Sequence, residues 1–277
     1  MDGALTPALL ALPSAAYFLF LEAATGGVIV LFLVHLRREV TNGYTLFTGV
    51  AFWLCAALAF WLRTAFPPTV APQLNASAAV WFAAERSLSL VFLVVLGLYL
   101  VGRWIDRGAW LAPLVPLLGL GAVWSAALVD PSAQLAGIGA PLAVLAGALA
   151  LGSALAGLSL GHWYLVSPTL SVRPLIRLTF VCLGALLAQV VLLPLLLFLP
   201  GPRPERVQSL LGDYALFFGV RVIFGLLVPI AATVMTWRTA RIRSLDSATG
   251  LLYIVAALIL AGEIVARTLY FITGLAT

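Results

Sequence analysis

The chain is 277 residues long, 63% apolar and only 9% charged, with a mean hydropathy of +1.13. That balance excludes a soluble globular domain and describes a polytopic membrane protein. The net charge of +5 reflects fifteen arginines and no lysine; set beside apolar segments, they read as a membrane-surface belt and not as a nucleic-acid face.

Eight apolar segments predict eight transmembrane helices, at about 13–36, 44–65, 78–101, 109–128, 139–166, 174–199, 213–237 and 248–274. The expected fold is an all-α integral membrane bundle in a single transmembrane domain spanning 1–277. No loop reaches about 15 residues, so any soluble module has to come from another chain. Arg37, Arg38, Arg103, Arg107, Arg173, Arg177, Arg238, Arg241 and Arg243 fall in or beside the odd-numbered loops, whereas only Arg63, Arg203 and Arg206 flank the even ones. The positive-inside rule then puts the odd loops in the cytoplasm and both termini outside it.

The first segment, PSAAYFLFLEAATGGVIVLFLVHL, has no Lys or Arg ahead of it and no small-residue cleavage site after a short apolar core, so it is expected to stay as a helix. It carries Glu22 ahead of Gly26-Gly27, small residues that admit a neighbouring helix closely. Two roles stay open for Glu22: a hydrogen bond to another helix, or contact with a ligand or proton. His35 stands beside Arg37 and Arg38 and is read as interfacial. The second segment brings Cys55 and aromatic packing, and closes at Arg63 before FPPTVAPQ, an expected exposed turn. The Asn75 sequon has meaning only in a eukaryotic secretory setting.

In the third segment Glu85 and Arg86 are adjacent, hence about 100° apart around a helix, and must have different neighbours. Glu85 is expected to face a cavity and Arg86 to pair elsewhere; the alternative is two structural contacts to other helices. Segments four and five are rich in Ala, Gly and Leu and read as scaffold. His162, near the inner end of segment five, raises a bis-imidazole haem with His35. Two interfacial histidines without a paired repeat fit a structural role better. Cys55 and Cys182 are single thiols in separate spans, which gives neither a disulfide framework nor an iron–sulfur or zinc motif. No metal is expected in this chain.

Segment seven places Asp213 at the rim and Arg221 about two turns deeper, where a guanidinium needs an anion; Glu22, Glu85 and Glu263 are the candidates. Segment eight holds Glu263 and Arg267 one turn apart, in the favoured order for a helical ion pair. A lone charge at mid-bilayer costs on the order of 3 kcal/mol, so this face should look into protein. With the topology above, Glu22, Glu85, Arg86, Arg221, Gln189, Glu263 and Arg267 all lie in the outer half or near the midplane. A site built from them opens outwards.

The pattern Ala261-Gly262-Glu263, Arg267, Tyr270-Phe271 resembles the last helix of the NrfD and DMSO-reductase (DmsC-type) family of membrane anchors. Asp213-Tyr214 followed by Arg221 is similar to the start of that family's seventh helix, Glu85 falls where a glutamate opens its third, and the first helix has a similar aromatic-then-Gly-Gly plan. The dimethyl-sulfoxide branch has a His-containing turn after helix two, where this chain reads FWLRTAFPP. The resemblance implies a subunit without haem or iron–sulfur centre that exchanges electrons between a membrane quinone, menaquinone or ubiquinone, and an extracytoplasmic four-cluster ferredoxin-like iron–sulfur subunit wired to a molybdopterin catalytic subunit. It implies the inner membrane of a prokaryotic cell, with membrane lipids as the other partner and no nucleic acid. On that footing Glu85 is expected to accept the proton, with Glu22 and Arg86 as further quinone-side groups and Arg221, Glu263 and Arg267 as the buried network that orders them.

Two other classes compete. A structural anchor without quinone could use the same buried pairs. A secondary transporter or proton-translocating subunit could too, although no paired Gly/Pro-broken helices mark matching halves of the sequence. A retinal protein needs a Schiff-base lysine, and the chain has none.

Overall fold

A computed structural model describes residues 2–67, 76–105, 107–129, 134–167, 169–199 and 201–277. The turn around 68–73 and the Asn75 sequon lie outside them. Among the described residues every regular element is helical: α1 Asp2–Leu36, α2 Asn42–Ala65, α3 Ala76–Trp104, α4 Leu114–Val129, α5 Gly139–Val166, α6 Arg173–Phe198, α7 Pro204–Leu211, α8 Ala215–Val222, α9 Val228–Arg241 and α10 Leu245–Thr273. One π-helical turn, Ile223–Leu227, joins α8 to α9 and makes of them one continuous span. Among the described residues eight helices are then long and apolar enough to cross a membrane, in keeping with the composition.

Two elements differ from the sequence expectation. Helix α1 runs 35 residues and passes through Pro7 and Pro13, so at about 1.5 Å per residue it exceeds a hydrocarbon core of about 30 Å. Its first turns therefore extend past the apolar layer. Helix α7 stands where the sequence suggests only a turn. Its Leu210 is buried against Leu197, Leu269 and Leu275, which pins the short helix onto the end of α10.

Helix α1 is the hub, packed against α2, α4, α5 and α10. The reason lies in its small residues. A Cβ placed on Gly26 would sit 1.6 Å from the Ala148 carbonyl oxygen, and one on Gly152 would sit 2.1 Å from the Gly26 carbonyl carbon. The backbones of α1 and α5 are thus in direct contact, the approach that small residues permit when lipid supplies no hydrophobic drive between helices. The Thr25 hydroxyl donates to Gly119 O on α4 at 3.3 Å, and the Tyr44 phenol of α2 donates to Ala156 O on α5 at 2.8 Å. Both buried hydroxyls have partners, as an apolar medium demands.

Around α9 and α10 the same device recurs. A Cβ on Gly262 would lie 2.4 Å from the Gly225 Cα, and Gly225 belongs to the π turn. In that turn Val228 N–H bonds back to Ile223 O, five residues earlier. It sits directly ahead of Pro229, whose ring lacks an N–H and disfavours regular α geometry in the preceding turn.

Filling the α1–α5 contact should be costly. Gly26→Ala is expected to destabilise the detergent-solubilised chain by about 1–3 kcal/mol through forced backbone separation. Gly184→Ala, on α6 where nothing lies within 4 Å of the added Cβ, should be neutral. Equal melting temperatures for the two variants would contradict the contact.

Candidate functional site

The buried charges form two groups. In the first, Arg63 near the end of α2 grips Glu85 of α3 with two contacts, Nη2 to Oε2 and Nε to Oε1, both at 2.7 Å. Glu85 is wholly buried and Arg63 is 7% exposed. The guanidinium carbon lies 4.7 Å from the centroid of the Tyr17 ring and 5.3 Å from that of Phe82, so aromatic faces close over the pair. The Tyr17 hydroxyl lies close to Glu85 and Ser89. Neither hydroxyl, Tyr17 Oη nor Ser89 Oγ, has a hydrogen bond of good geometry.

The second group is a chain of alternating sign. Glu22 Oε1 of α1 meets Arg267 Nε of α10 at 2.7 Å; Arg267 Nη2 meets Glu263 Oε2 at 3.0 Å; and Glu263 Oε1 meets Arg221 Nη1 of α8 at 3.2 Å. All four side chains are 1% exposed or less. Arg267 Nη2 also donates to Ala143 O of α5 at 3.3 Å, while Arg221 Nη2 donates to the side-chain carbonyl of Gln189 on α6 and to Thr277 O at 3.3 Å. Five helices are tied through one neutral network.

Local sequence explains why the network fits. On α5, a Cβ at Gly147 would lie 2.6 Å from Glu263 Oε2 and 2.9 Å from Arg267 Nη2, so only glycine leaves room for the pair. The Gly225–Gly262 contact draws α10 against the π turn, one step beyond Arg221. Helix α1 contributes to both groups: Tyr17 faces the Arg63–Glu85 pair, and Glu22, little more than a turn later, belongs to the chain. Between these positions Phe18 packs edge-on against Tyr270 and Phe271, centroids 6.4 and 5.6 Å away.

The structure therefore brings Glu22 together with Arg221, Glu263 and Arg267, and sets Glu85 apart from them with Arg63. Glu85 meets a guanidinium where the sequence suggests an open cavity. Arg86 departs from expectation as well. It is exposed on the outer face of α3 and forms no ion pair among the described residues. The 100° step from a buried Glu85 turns it towards lipid, where its long stem can carry the charge to the interface. Among the described residues its guanidinium pairs with neither Glu22 nor Glu85, which are held by Arg267 and Arg63.

By sequence alone Arg63 is a charge flanking a loop. The one signal against that is the short link from α2 to α3, which must set the end of one helix beside the start of the next. Arg221 takes Glu263 from its three candidate anions. At the opposite end, the His162 ring is occupied on both nitrogens, Nδ1 with Leu158 O at 3.0 Å and Nε2 with the Tyr253 phenol. Among the described residues no group of three or more His, Cys, Asp or Glu side chains is placed to hold a metal. The chain matches no known family profile and no curated protein.

Breaking either pair strands a buried charge, which costs about 3–5 kcal/mol. Arg63→Gln alone should therefore destabilise the chain more than the double variant Arg63→Gln with Glu85→Gln, where no charge is left behind. A thermal-unfolding double-mutant cycle in detergent checks this; additive losses would show that the two groups do not interact.

Proposed function

We propose that this chain is a quinone-interacting membrane anchor subunit of a multi-subunit respiratory oxidoreductase, passing electrons between the membrane quinone pool and an extracytoplasmic iron–sulfur subunit that serves a molybdopterin catalytic subunit. The observation that carries the reading is a buried carboxylate, Glu85, held by Arg63 beside two hydroxyls, Tyr17 Oη and Ser89 Oγ, that lack good hydrogen-bond partners. A quinone head group is apolar in its ring and polar at two opposed oxygens. Two hydroxyls beside a carboxylate in an apolar bundle fit that chemistry.

A bound quinol supplies two electrons and two protons when it is oxidised. The electrons leave to the iron–sulfur partner, because this chain has no centre of its own in the proposal. Glu85 takes one proton on the carboxylate oxygens that Arg63 holds and releases it to the extracytoplasmic side, and the second proton leaves to the same side. Arg63 stays charged throughout, since guanidinium does not deprotonate in proteins, and its place over the Tyr17 ring persists as the carboxylate is neutralised. Tyr17 and Ser89 donate hydrogen bonds that orient the ring. The Glu22–Arg267–Glu263–Arg221 chain acts at one remove: it fixes the rotation of α1 against α10 and so the direction in which Tyr17 points.

The topology belongs to the same proposal. Arginines Arg37, Arg103, Arg107, Arg173, Arg177, Arg238, Arg241 and Arg243 gather at the end of the bundle away from Arg63 and Glu85, and the positive-inside rule makes that end cytoplasmic. Both termini and the Glu85 pair then lie on the extracytoplasmic side of a prokaryotic inner membrane. An open recess of about 380 Å³, lined by Glu205, Arg206, Ser209 and the last turn of α10, faces the same side and offers a polar footing for the iron–sulfur subunit.

A structural anchor without quinone is the second reading. It is favoured by a specific observation: Glu22, Glu85 and Glu263 each already have an arginine partner. One variant separates the two. Glu85→Gln strands the Arg63 charge and lowers thermal stability, but in complex that retains its full subunit stoichiometry it is expected to cut quinol-dependent turnover by about 100-fold, a typical loss for a proton-transfer group. Unchanged turnover in an intact complex would leave Glu85 structural.

A further inference from the structure

Helices α1 and α6 both pack on α5 and leave a groove between them at the arginine-rich end. Its volume is about 320 Å³, room for a length of acyl chain, with Val30, Val34, Leu178 and Val181 along its walls and Arg37 and Arg177 in its lining. The two helices run in opposite directions here. Val30 and Val181 thus lie deep, while Arg37, just past the end of α1, and Arg177, one turn into α6, lie at the mouth.

The charge at this mouth is unbalanced. Arg177 pairs with Glu39 in the link after α1. Arg37 is exposed and forms no ion pair among the described residues, Arg38 follows it in the chain, and Arg173 lies one helical turn before Arg177. Phe180, also in the groove lining, packs on Trp237 with centroids 5.6 Å apart, and the Arg241 guanidinium lies 5.2 Å from the Trp237 centroid. Tryptophan and arginine side by side mark the headgroup level of a membrane protein.

We propose that this groove binds one anionic phospholipid, its phosphate between Arg37 and Arg177 and an acyl chain along Val30, Val34, Leu178 and Val181. The occupant must be apolar along most of its length and anionic at one end only. A quinone lacks the anion, and an apolar helix of another chain would leave the Arg37 guanidinium without one. Planar guanidinium forks suit phosphate oxygens through paired hydrogen bonds. A zwitterionic headgroup would bring its ammonium into the same cluster of arginines, which favours a lipid with net negative charge. So placed, the lipid fills the groove between the hub helix and α6. The inference is independent of the electron-transfer reading, since it needs only the membrane.

The test uses the full chain purified in mild detergent and exposed in parallel to phosphatidylglycerol, phosphatidylcholine and millimolar inorganic phosphate, with retained lipid read by native mass spectrometry. The expected result is retention of one phosphatidylglycerol about tenfold over phosphatidylcholine, the factor that one charge-assisted contact supplies. Arg37→Gln, which leaves the Arg177–Glu39 pair intact, should abolish that preference, and Arg203→Gln at the other end of the bundle should not. Equal retention of the two lipids, or an unchanged preference in Arg37→Gln, would overturn the proposal. Displacement of the lipid by inorganic phosphate alone would overturn it too, by showing an anion site with no use for the acyl chain.

Discussion

The arrangement of this bundle depends on the alternating chain Glu22, Arg267, Glu263, Arg221. Four charges without solvent cannot stand alone in an apolar medium, and each must find the opposite sign within a few ångströms. Because the four come from α1, α8 and α10, and their remaining donors reach α5 and α6, satisfying them fixes how those helices rotate and at what height they meet. Leucine and alanine surfaces could slide by a turn with little penalty; the ion chain cannot. The network thus supplies register to a bundle whose packing surfaces are otherwise uniform.

Close backbone approach is what makes the chain possible. Gly147 leaves the volume that Glu263 and Arg267 occupy, and Gly225 against Gly262 sets α10 next to the π turn just beyond Arg221. A π turn adds a residue to the helix and rotates the segment before it relative to the segment after it. Here it lets Arg221 face the core while the later half of the span, beginning at Val228, resumes regular geometry ahead of its own arginines. Charge, small residue and helix irregularity act together, and each makes sense only with the others.

Eight spans are legible in the sequence because a run of some twenty apolar residues is rare in any chain that does not cross a membrane. The Glu263–Arg267 pair is legible for a similar reason: i, i+4 spacing is local, and local geometry is known in advance. Partners between helices are not. Nothing in the spacing of Glu85 names Arg63, a charge at a helix end, and nothing in Glu22 chooses Arg267 over Arg221. Those choices depend on helix rotation, which near-uniform apolar faces leave undetermined. Helix α7 is hidden for another reason, its polar and Pro-rich surroundings, although Leu210 carries an apolar anchor into the core.

Functionally, the two groups of charges divide the work. The ion chain ties four side chains to one another in a fixed order and supplies rigidity, although Glu22 Oε2, Arg267 Nη1, Arg221 Nε and Gln189 Nε2 keep no hydrogen-bond partner within it. The Arg63–Glu85 pair, roofed by Tyr17 and Phe82, sets two hydroxyls, Tyr17 Oη and Ser89 Oγ, beside a carboxylate, and that is where the proposed quinone chemistry belongs. The most direct measurement is purification of the chain from its own membrane in mild detergent, with copurifying subunits identified by mass and the extract assayed for quinone and haem. The account predicts an iron–sulfur subunit and quinone with no haem in this chain; a chain that purifies alone, with neither partner nor quinone, would contradict it.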